Sequence, residues 1–299
     1  MENQKKKYIK NGHIVSRGCQ PESTITGKET EQVMISSTSN PQIKNLIQLQ
    51  AKHKERQEQK AFVAEGIKMF EEARDGGHLI KAYVTEGLYE EKTGNNPDYF
   101  KGISYETVTE QVMKAASDTL TPQGILAVVR RKEYELAELI DKAEVNLLLL
   151  EDLRDPGNLG TIVRTAEGAG MTGIVLSQSS VDIYNPKVIR ATMGAIYRMP
   201  FVYVNDFYAA LKEIKAAGIS VYAAHLKAAV EYDSFSYPGK AAILIGNEAK
   251  GLSEEAAALS SCNVIIPMEG KVESLNAGVA AALLMYEMYR QRRNRLERD

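Results

Sequence analysis

Apolar residues come in short unbroken runs through the second half of the chain, and each run ends in polar or glycine-rich sequence. Asn146–Leu150, Gly173–Ser177, Phe201–Val204, Ser220–Ala224, Ala242–Ile245 and Asn263–Ile266 are too short for helices. Their apolar character fits strands covered on both faces. Between most of them, residues 160–169, 206–217, 253–260 and 274–291 place apolar positions at helical intervals. This alternation predicts a parallel sheet with helices on both sides, whose ligand lies beyond the carboxyl ends of the strands. In the last helix Leu275, Val279, Leu283 and Tyr286 repeat at helical spacing and read as a core-facing stripe.

The first half alternates in the same way over shorter segments. Asn40-Pro41 opens a helix continued by Ile43, Leu46 and Ile47, and a strand follows at Ala61–Ala64. A helix over 67–75 ends at Gly76-Gly77, and a strand runs Ile80–Thr85. A loop around Gly94-Asn95-Asn96-Pro97 leads to a helix near 106–116 and a strand at Gly124–Val129. The fold class is therefore α/β throughout. Four segments are expected: a flexible polar extension over 1–33, a small α/β domain over 34–130, a charged helical connector over 131–145 and a larger domain over 146–299.

Composition narrows the function classes. At 299 residues the chain has room for two domains, each with its own core, and 44% hydrophobic with 25% charged residues is ordinary for a globular protein. A net charge of −2 means that any nucleic-acid binding must come from local basic patches. The first residues, M-E-N-Q-K-K-K-Y-I-K, lack the apolar stretch of a secretory signal, and the apolar run at Val279–Met285 is too short to span a bilayer. A cytoplasmic location with no membrane partner is expected. Cys19 and Cys262 are far apart, and Cys262, before an apolar run, reads as a buried reduced thiol. His13, His53, His78 and His225 are scattered and form no ligand set with the cysteines, so no metal is expected.

Three polar segments carry the candidate chemistry: N-L-G-T-I-V-R-T-A-E-G-A-G (158–170), I-L-I-G-N-E-A-K-G-L (243–252) and V-I-I-P-M-E-G-K-V-E-S-L-N-A-G (264–278). In the first, Asn158 and Gly160 open a helix, whose free backbone amides favour an oxygen-rich ligand, and Arg164 has no carboxylate three or four residues before it to pair with. In the second, a glycine follows a strand, but neither a phosphate-cradling P-loop nor a G-x-G-x-x-G dinucleotide fingerprint is present. In the third, Ser274 is an N-cap candidate for the last helix. The basic residues Lys52, Lys54, Arg56 and Lys60 form a candidate nucleic-acid-binding patch, and Arg290, Arg292, Arg293, Arg295 and Arg298 form a second one.

The patterns N-x-G-x-x-x-R-T-A, G-N-E-x-x-G-L and I-P-M-x-G-x-x-x-S-L-N resemble the three motifs of the SpoU/TrmH branch of the SPOUT RNA methyltransferases, across the whole of 146–289. R-Q-E-Q-K-A-F-V-A-E-G (56–66) is similar to the small RNA-binding domain often fused ahead of them, which itself resembles certain ribosomal and kink-turn-binding proteins. The resemblance implies an S-adenosylmethionine-dependent ribose 2′-O-methyltransferase, a C-terminal trefoil knot that holds the cofactor, and a homodimer with the active site near the subunit interface. It places cofactor contacts at Gly246, Ile266 and Leu275, with Leu244, Asn247 and Met268 beside them. It assigns Asn158, Arg164, Glu248, Ser274 and Asn276 to the catalytic or substrate-ordering set, with Arg164 as proton acceptor or as the group that orients the 2′-oxygen. Ribosomal RNA is the expected substrate, with transfer RNA as the alternative. A non-catalytic RNA-binding protein on the same fold would lack these motif residues, and a nucleotide-binding oxidoreductase would carry the missing glycine fingerprint.

Overall fold

The structure is a computed structural model, and it describes residues 34–296. The extension expected over 1–33, with Cys19 and His13, lies outside the described residues, as does Arg298. In the first half the elements run α1 (Pro41–Ala51), α2 (His53–Glu58), β1 (Ala61–Glu65), α3 (Ile67–Asp75), β2 (Leu79–Thr85), α4 (Glu86–Asn95), β3 (Tyr105–Val108), α5 (Glu110–Ala116) and β4 (Ile125–Arg130). Helix α1 starts where Asn40 accepts from the Gln42 amide ahead of Pro41, as its sequence dictates. The four strands form one sheet in the order β1-β4-β2-β3, with β4 antiparallel to both neighbours and β3 parallel to β2.

After a short α6 (Leu136–Ile140) the larger half contains β5 (Asn146–Leu150), α7 (Pro156–Gly168), β6 (Gly173–Ser177), α8 (Pro186–Thr192), a 3₁₀ turn at Ala195–Tyr197, β7 (Phe201–Val204) and α9 (Phe207–Ala216). It continues with β8 (Ser220–Ala224), β9 (Val230–Glu231), β10 (Ala241–Ile245), α10 (Glu254–Leu259), β11 (Cys262–Ile265) and α11 (Ala277–Leu296). Seven strands make a sheet in the order β7-β6-β5-β10-β8-β11-β9, every neighbouring pair parallel. Strands β5, β6 and β10 are buried at every residue, as their unbroken apolar runs require. The chain crosses from β10 past β8 to β11, so the loops after β10 and β11 emerge close together at the carboxyl edge.

The two sheets do not have wholly separate cores. One apolar cluster runs from Phe62, Phe70 and Val84 of the small sheet through Tyr184 and Tyr197 to Leu148, Ile162 and Ile243 of the large one. Smaller clusters fill the remaining faces of each sheet.

Several expectations need correction. The segment 106–116 is a strand, then a helix capped by Thr109; Tyr105–Val108 pairs in parallel with β2, its first three residues half-buried and Val108 buried. Helix α4 buries only Leu88 and lacks an apolar stripe, so its sequence reads as loop. Only five residues of the 131–145 connector are helical. Helix α7 starts at Pro156 with Asp155 as its cap, ahead of Asn158. Helix α11 starts at Ala277, and its cap is Asn276, which accepts from the Gly278 and Val279 amides; Ser274 lies before it. Its buried face is Ala277, Ala281, Leu284, Met285 and Met288, whereas Val279, Leu283 and Tyr286 of the expected core stripe are exposed. Cys262 is a free thiol, half-buried at the end of the sheet. No helix among the described residues is long and apolar enough to cross a membrane.

Candidate active site

At the carboxyl ends of β8, β10 and β11, three loops close around a cavity of about 200 Å³. Gly246 and Asn247 follow β10, Ile266 and Met268 follow β11, Ser274 and Leu275 precede α11, and Ala224, His225 and Leu226 come from the end of β8. Gly246 has no room for a side chain: a β-carbon there would lie 2.5 Å from the Gly251 carbonyl oxygen and would also clash with the Leu252 amide. Asn247 closes this turn by exchanging backbone hydrogen bonds with Gly251 (3.1 and 2.9 Å), and its side-chain oxygen accepts from the Ala249 and Lys250 amides.

Leu244 does not line the cavity. It is fully buried within β10, packed in the apolar cluster beneath the sheet, because residues alternate between faces along a strand. Ile245 lines the cavity instead. Sequence reasoning also missed Ala224–Leu226, since the end of β8 carries no motif. The rule that ligands sit at carboxyl strand ends was the available signal.

An open groove of about 660 Å³ adjoins the cavity and shares Asn247, Glu248 and Ala249 with it. Its other walls are Arg154, Asp155, Pro156, Asn158 and Asn276. The Glu248 carboxylate accepts from the backbone amides of Arg154 (3.1 Å) and Asp155 (2.9 Å) and from the Asn158 side-chain amide (3.1 Å). The Asn158 oxygen in turn accepts from the Asn276 amide at 2.9 Å. One hydrogen-bonded chain thus ties the loop after β10 to the starts of α7 and α11, joining a residue from each of the three motifs. Partial burial works against the Glu248 charge, but the amides of Asp155, Arg154 and Asn158 outweigh it and hold its carboxyl below the usual carboxylate value of 4.5.

Asp152, in the loop after β5, adopts a left-handed backbone with φ 54°. Its amide donates to Ser177 Oγ (2.8 Å), its carbonyl accepts from the Asn247 side chain (2.8 Å), and its carboxylate pairs with Arg154 (2.6 Å). Strain of this kind persists only where neighbours over-determine the conformation. A wider groove of about 890 Å³ lies across the 246–252 loop, but three of its four carboxylates are internally engaged. Glu151 accepts from Ser253 and Tyr208, Asp152 pairs with Arg154, and Asp206 caps α9.

The remaining expected residues divide. Arg164 is exposed on α7 and makes no ion pair among the described residues; it lines neither the cavity nor the adjoining groove. Lys52 and Lys54 are exposed, and Lys60 is exposed but paired with Glu133 at 2.9 Å. Arg56 is not part of this exposed face. It is 4% exposed, bonded to Asp182 and to the carbonyls of Leu49 and Gln50, on the side of α2 that faces the end of α1. The second basic patch is also partly structural: Arg292 donates to the carbonyls of Ala169 and Gly170, Arg295 to that of Tyr237, and Arg290 pairs with Glu287.

A parallel α/β sheet thus has its polar loops converging on one cavity, with a carboxamide–carboxylate chain at the mouth. The profile of the SpoU rRNA methylase family matches residues 146–286, and that of the MRM3-like substrate binding domain matches residues 40–127. The chain is 33% identical to the 23S rRNA (guanosine(2553)-2′-O)-methyltransferase of Bacillus subtilis, over 85% of this chain and 98% of that protein. It is 30% identical to the mitochondrial rRNA methyltransferase 3 of Homo sapiens, over 81% of this chain and 70% of that one. Among solved structures, an RNA 2′-O ribose methyltransferase aligns with a TM-score of 0.75 at 32% identity, covering 87% of this chain and 99% of the other. An rRNA methyltransferase from Sinorhizobium meliloti bound to S-adenosylmethionine aligns equally well, with a TM-score of 0.75 at 29% identity, over 86% and 97% of the two chains. The chain belongs to the SpoU rRNA methylase family and is an S-adenosylmethionine-dependent RNA ribose 2′-O-methyltransferase.

Proposed function

We propose that the protein methylates one ribose of ribosomal RNA, with the methyl donor held in the cavity between the loops after β8, β10 and β11. The observation that carries this reading is the convergence of Gly246, just after β10, with Ile266 and Leu275, near the two ends of the loop between β11 and α11, on one cavity that opens beside Asn158, Glu248 and Asn276. The residues present fit such a donor. Ile245, Ile266, Leu275, Met268 and Ala280 offer an apolar slot for a flat base, and the missing side chain at Gly246 lets the Gly251–Leu252 backbone fold tightly beside it. When bound, the donor supplies a methyl group already activated by its sulfonium charge. The chain's own residues then have to orient the ribose hydroxyl in line and exclude competing water.

In this reading Glu248 anchors Asn158, and Asn158 with Asn276 orders the ribose in the groove. Ser274 and Met268 line the donor cavity, with Asn247 shaping its floor. Arg164 orients the 2′-oxygen, a role suited to a guanidinium, which offers several donors in fixed geometry. It does so across a homodimer. The exposed stripe of Val279, Leu283 and Tyr286 on α11 borders Thr161 on α7, a helical turn before Arg164, and together they leave an apolar groove of about 520 Å³ without cover. A second copy seated there brings Arg164 of one chain towards the donor cavity of the other. Residues 34–130 form the RNA-gripping domain, with Lys52, Lys54 and Lys60 as phosphate contacts, and the protein works in the cytoplasm. The test is to incubate the protein with labelled S-adenosylmethionine and ribosomal RNA from a strain lacking it, then map the label. A single labelled ribose 2′-oxygen is expected. Label on transfer RNA alone, or on a base, would refute the reading.

A further inference from the structure

The segment between β6 and β7 does more than join two strands. At its start, Asp182 accepts from Arg56 Nε (3.0 Å) and Nη2 (2.8 Å), and Arg56 Nη1 donates at 2.8 Å to the carbonyls that end α1. Within α8, Arg190 pairs with Asp118 in the loop before β4 (2.5 Å). After the 3₁₀ turn, Arg198 bridges Glu72 of α3 and Glu167 of α7, and Gly194, at φ 94°, lets the Glu72 side chain lie against the backbone. Between these points Tyr197 donates to the Met69 carbonyl (3.0 Å), and Tyr184 lies against Phe62 with ring centroids 4.7 Å apart. The small sheet is therefore attached at α2, at the loop before β4 and at α3, three separate places around its edge.

The other side of α8 rests on α7. A β-carbon at Gly160 would clash with Ala191 and lie 2.9 Å from the Val188 carbonyl oxygen, so the two helices meet backbone to backbone. Helix α7 carries Asn158 in its first turn. Contacts on three different elements resist rotation as well as translation, which a single linker does not.

We propose that residues 180–198 act as a splint that selects the methylated nucleotide, holding the 34–130 domain at one distance and angle from the transfer site. The proposal rests on the RNA reading above. RNA gripped by the small domain then presents one ribose to the groove, and its neighbours are excluded by geometry rather than by base contacts. Arg56, Asp182, Arg190 and Arg198 are positioning residues, since none of them lines the donor cavity or the groove. In-line transfer tolerates little displacement, an error of about 1 Å costing roughly 10²-fold in rate. A loosened splint therefore leaves RNA binding intact while turnover falls and the methylated position spreads.

The experiment uses the full chain, labelled S-adenosylmethionine and unmodified large-subunit ribosomal RNA transcript. The variants are Asp118→Arg with Arg198→Gln at the exposed contacts, and Arg56→Leu with Asp182→Leu at the buried one, which removes both charges together. Each is expected to slow single-turnover methylation by about 10–10²-fold and to spread label onto neighbouring riboses. RNA affinity, its salt dependence and the melting shift caused by the donor should stay unchanged. The exchange Asp118→Arg with Arg190→Asp should restore a single labelled position. A wild-type rate with one methylated position in the loosened variants overturns the proposal, as does a matching loss of RNA affinity, which would make these residues RNA contacts. A readout independent of the substrate is the distance distribution between spin labels at Glu90→Cys and Glu213→Cys, in a Cys19→Ser, Cys262→Ser background. One narrow distance without RNA is expected, broadened in the variants. A broad distribution in the wild-type chain rejects the splint whatever RNA the enzyme modifies, whereas a narrow one beside unlabelled ribosomal RNA rejects only the substrate reading.

Discussion

Glu248 accepts two backbone amides and one side-chain amide, and its charge state follows from them. Because its folded-state value is held below the ordinary 4.5, its stabilising effect is present above that pH and is lost as pH falls through the lower, folded value. The melting temperatures of wild type and Glu248→Gln should therefore differ by a constant amount from pH 8 down to about 5, and converge in more acid solution. A gap that instead opens on acidification would mean the carboxyl is protonated at neutral pH. The residue types at this site were legible in the sequence, because G-N-E and S-L-N stand against apolar runs that must be strand and helix. Arg56 was not legible: its neighbours Lys54, Glu55, Gln57 and Glu58 all read as solvent-facing, and its partner Asp182 lies 126 residues away.

At the level of elements, the buried strands follow from their apolar runs, and observed and expected ends agree within a residue or so for β5 to β8, β10 and β11. Helices α4 and α8 were harder to read for different reasons. The first has no apolar stripe and contains Gly87 and Gly94, while the second is a short piece whose Asn185-Pro186 start is a good capping signal that went unused. Helix α11 has two apolar faces, so spacing alone could not say which one the sheet covers. The packing of α7 on α8 yields a sharp expectation. Gly160→Ala forces the helices apart and should cost about 1–3 kcal/mol by overpacking, read as a lower denaturant midpoint with an unchanged slope. A midpoint equal to wild type would mean the two helices separate freely.

Across the whole molecule, two sheets share one apolar cluster, and the candidate site uses groups from the start, middle and end of the larger half. Arg164 is exposed and outside its own chain's cavity, which makes its proposed action across a dimer directly checkable. Arg164→Ala should lose about 10²–10⁴-fold in turnover while keeping donor binding. Mixing and re-associating that variant with Gly246→Ala, which keeps Arg164 but pushes its own 246–252 loop out of place against the cavity, should recover activity in the hybrid dimer. No recovery in a hybrid shown to form would place Arg164 at its own chain's site. All of this depends on the three loops forming a pocket for the methyl donor. Calorimetric titration of S-adenosylmethionine into the full chain should show saturable binding at one site per chain, abolished by Gly246→Ala. Absence of binding to the wild-type chain, or unaltered binding to Gly246→Ala, would put the donor somewhere else.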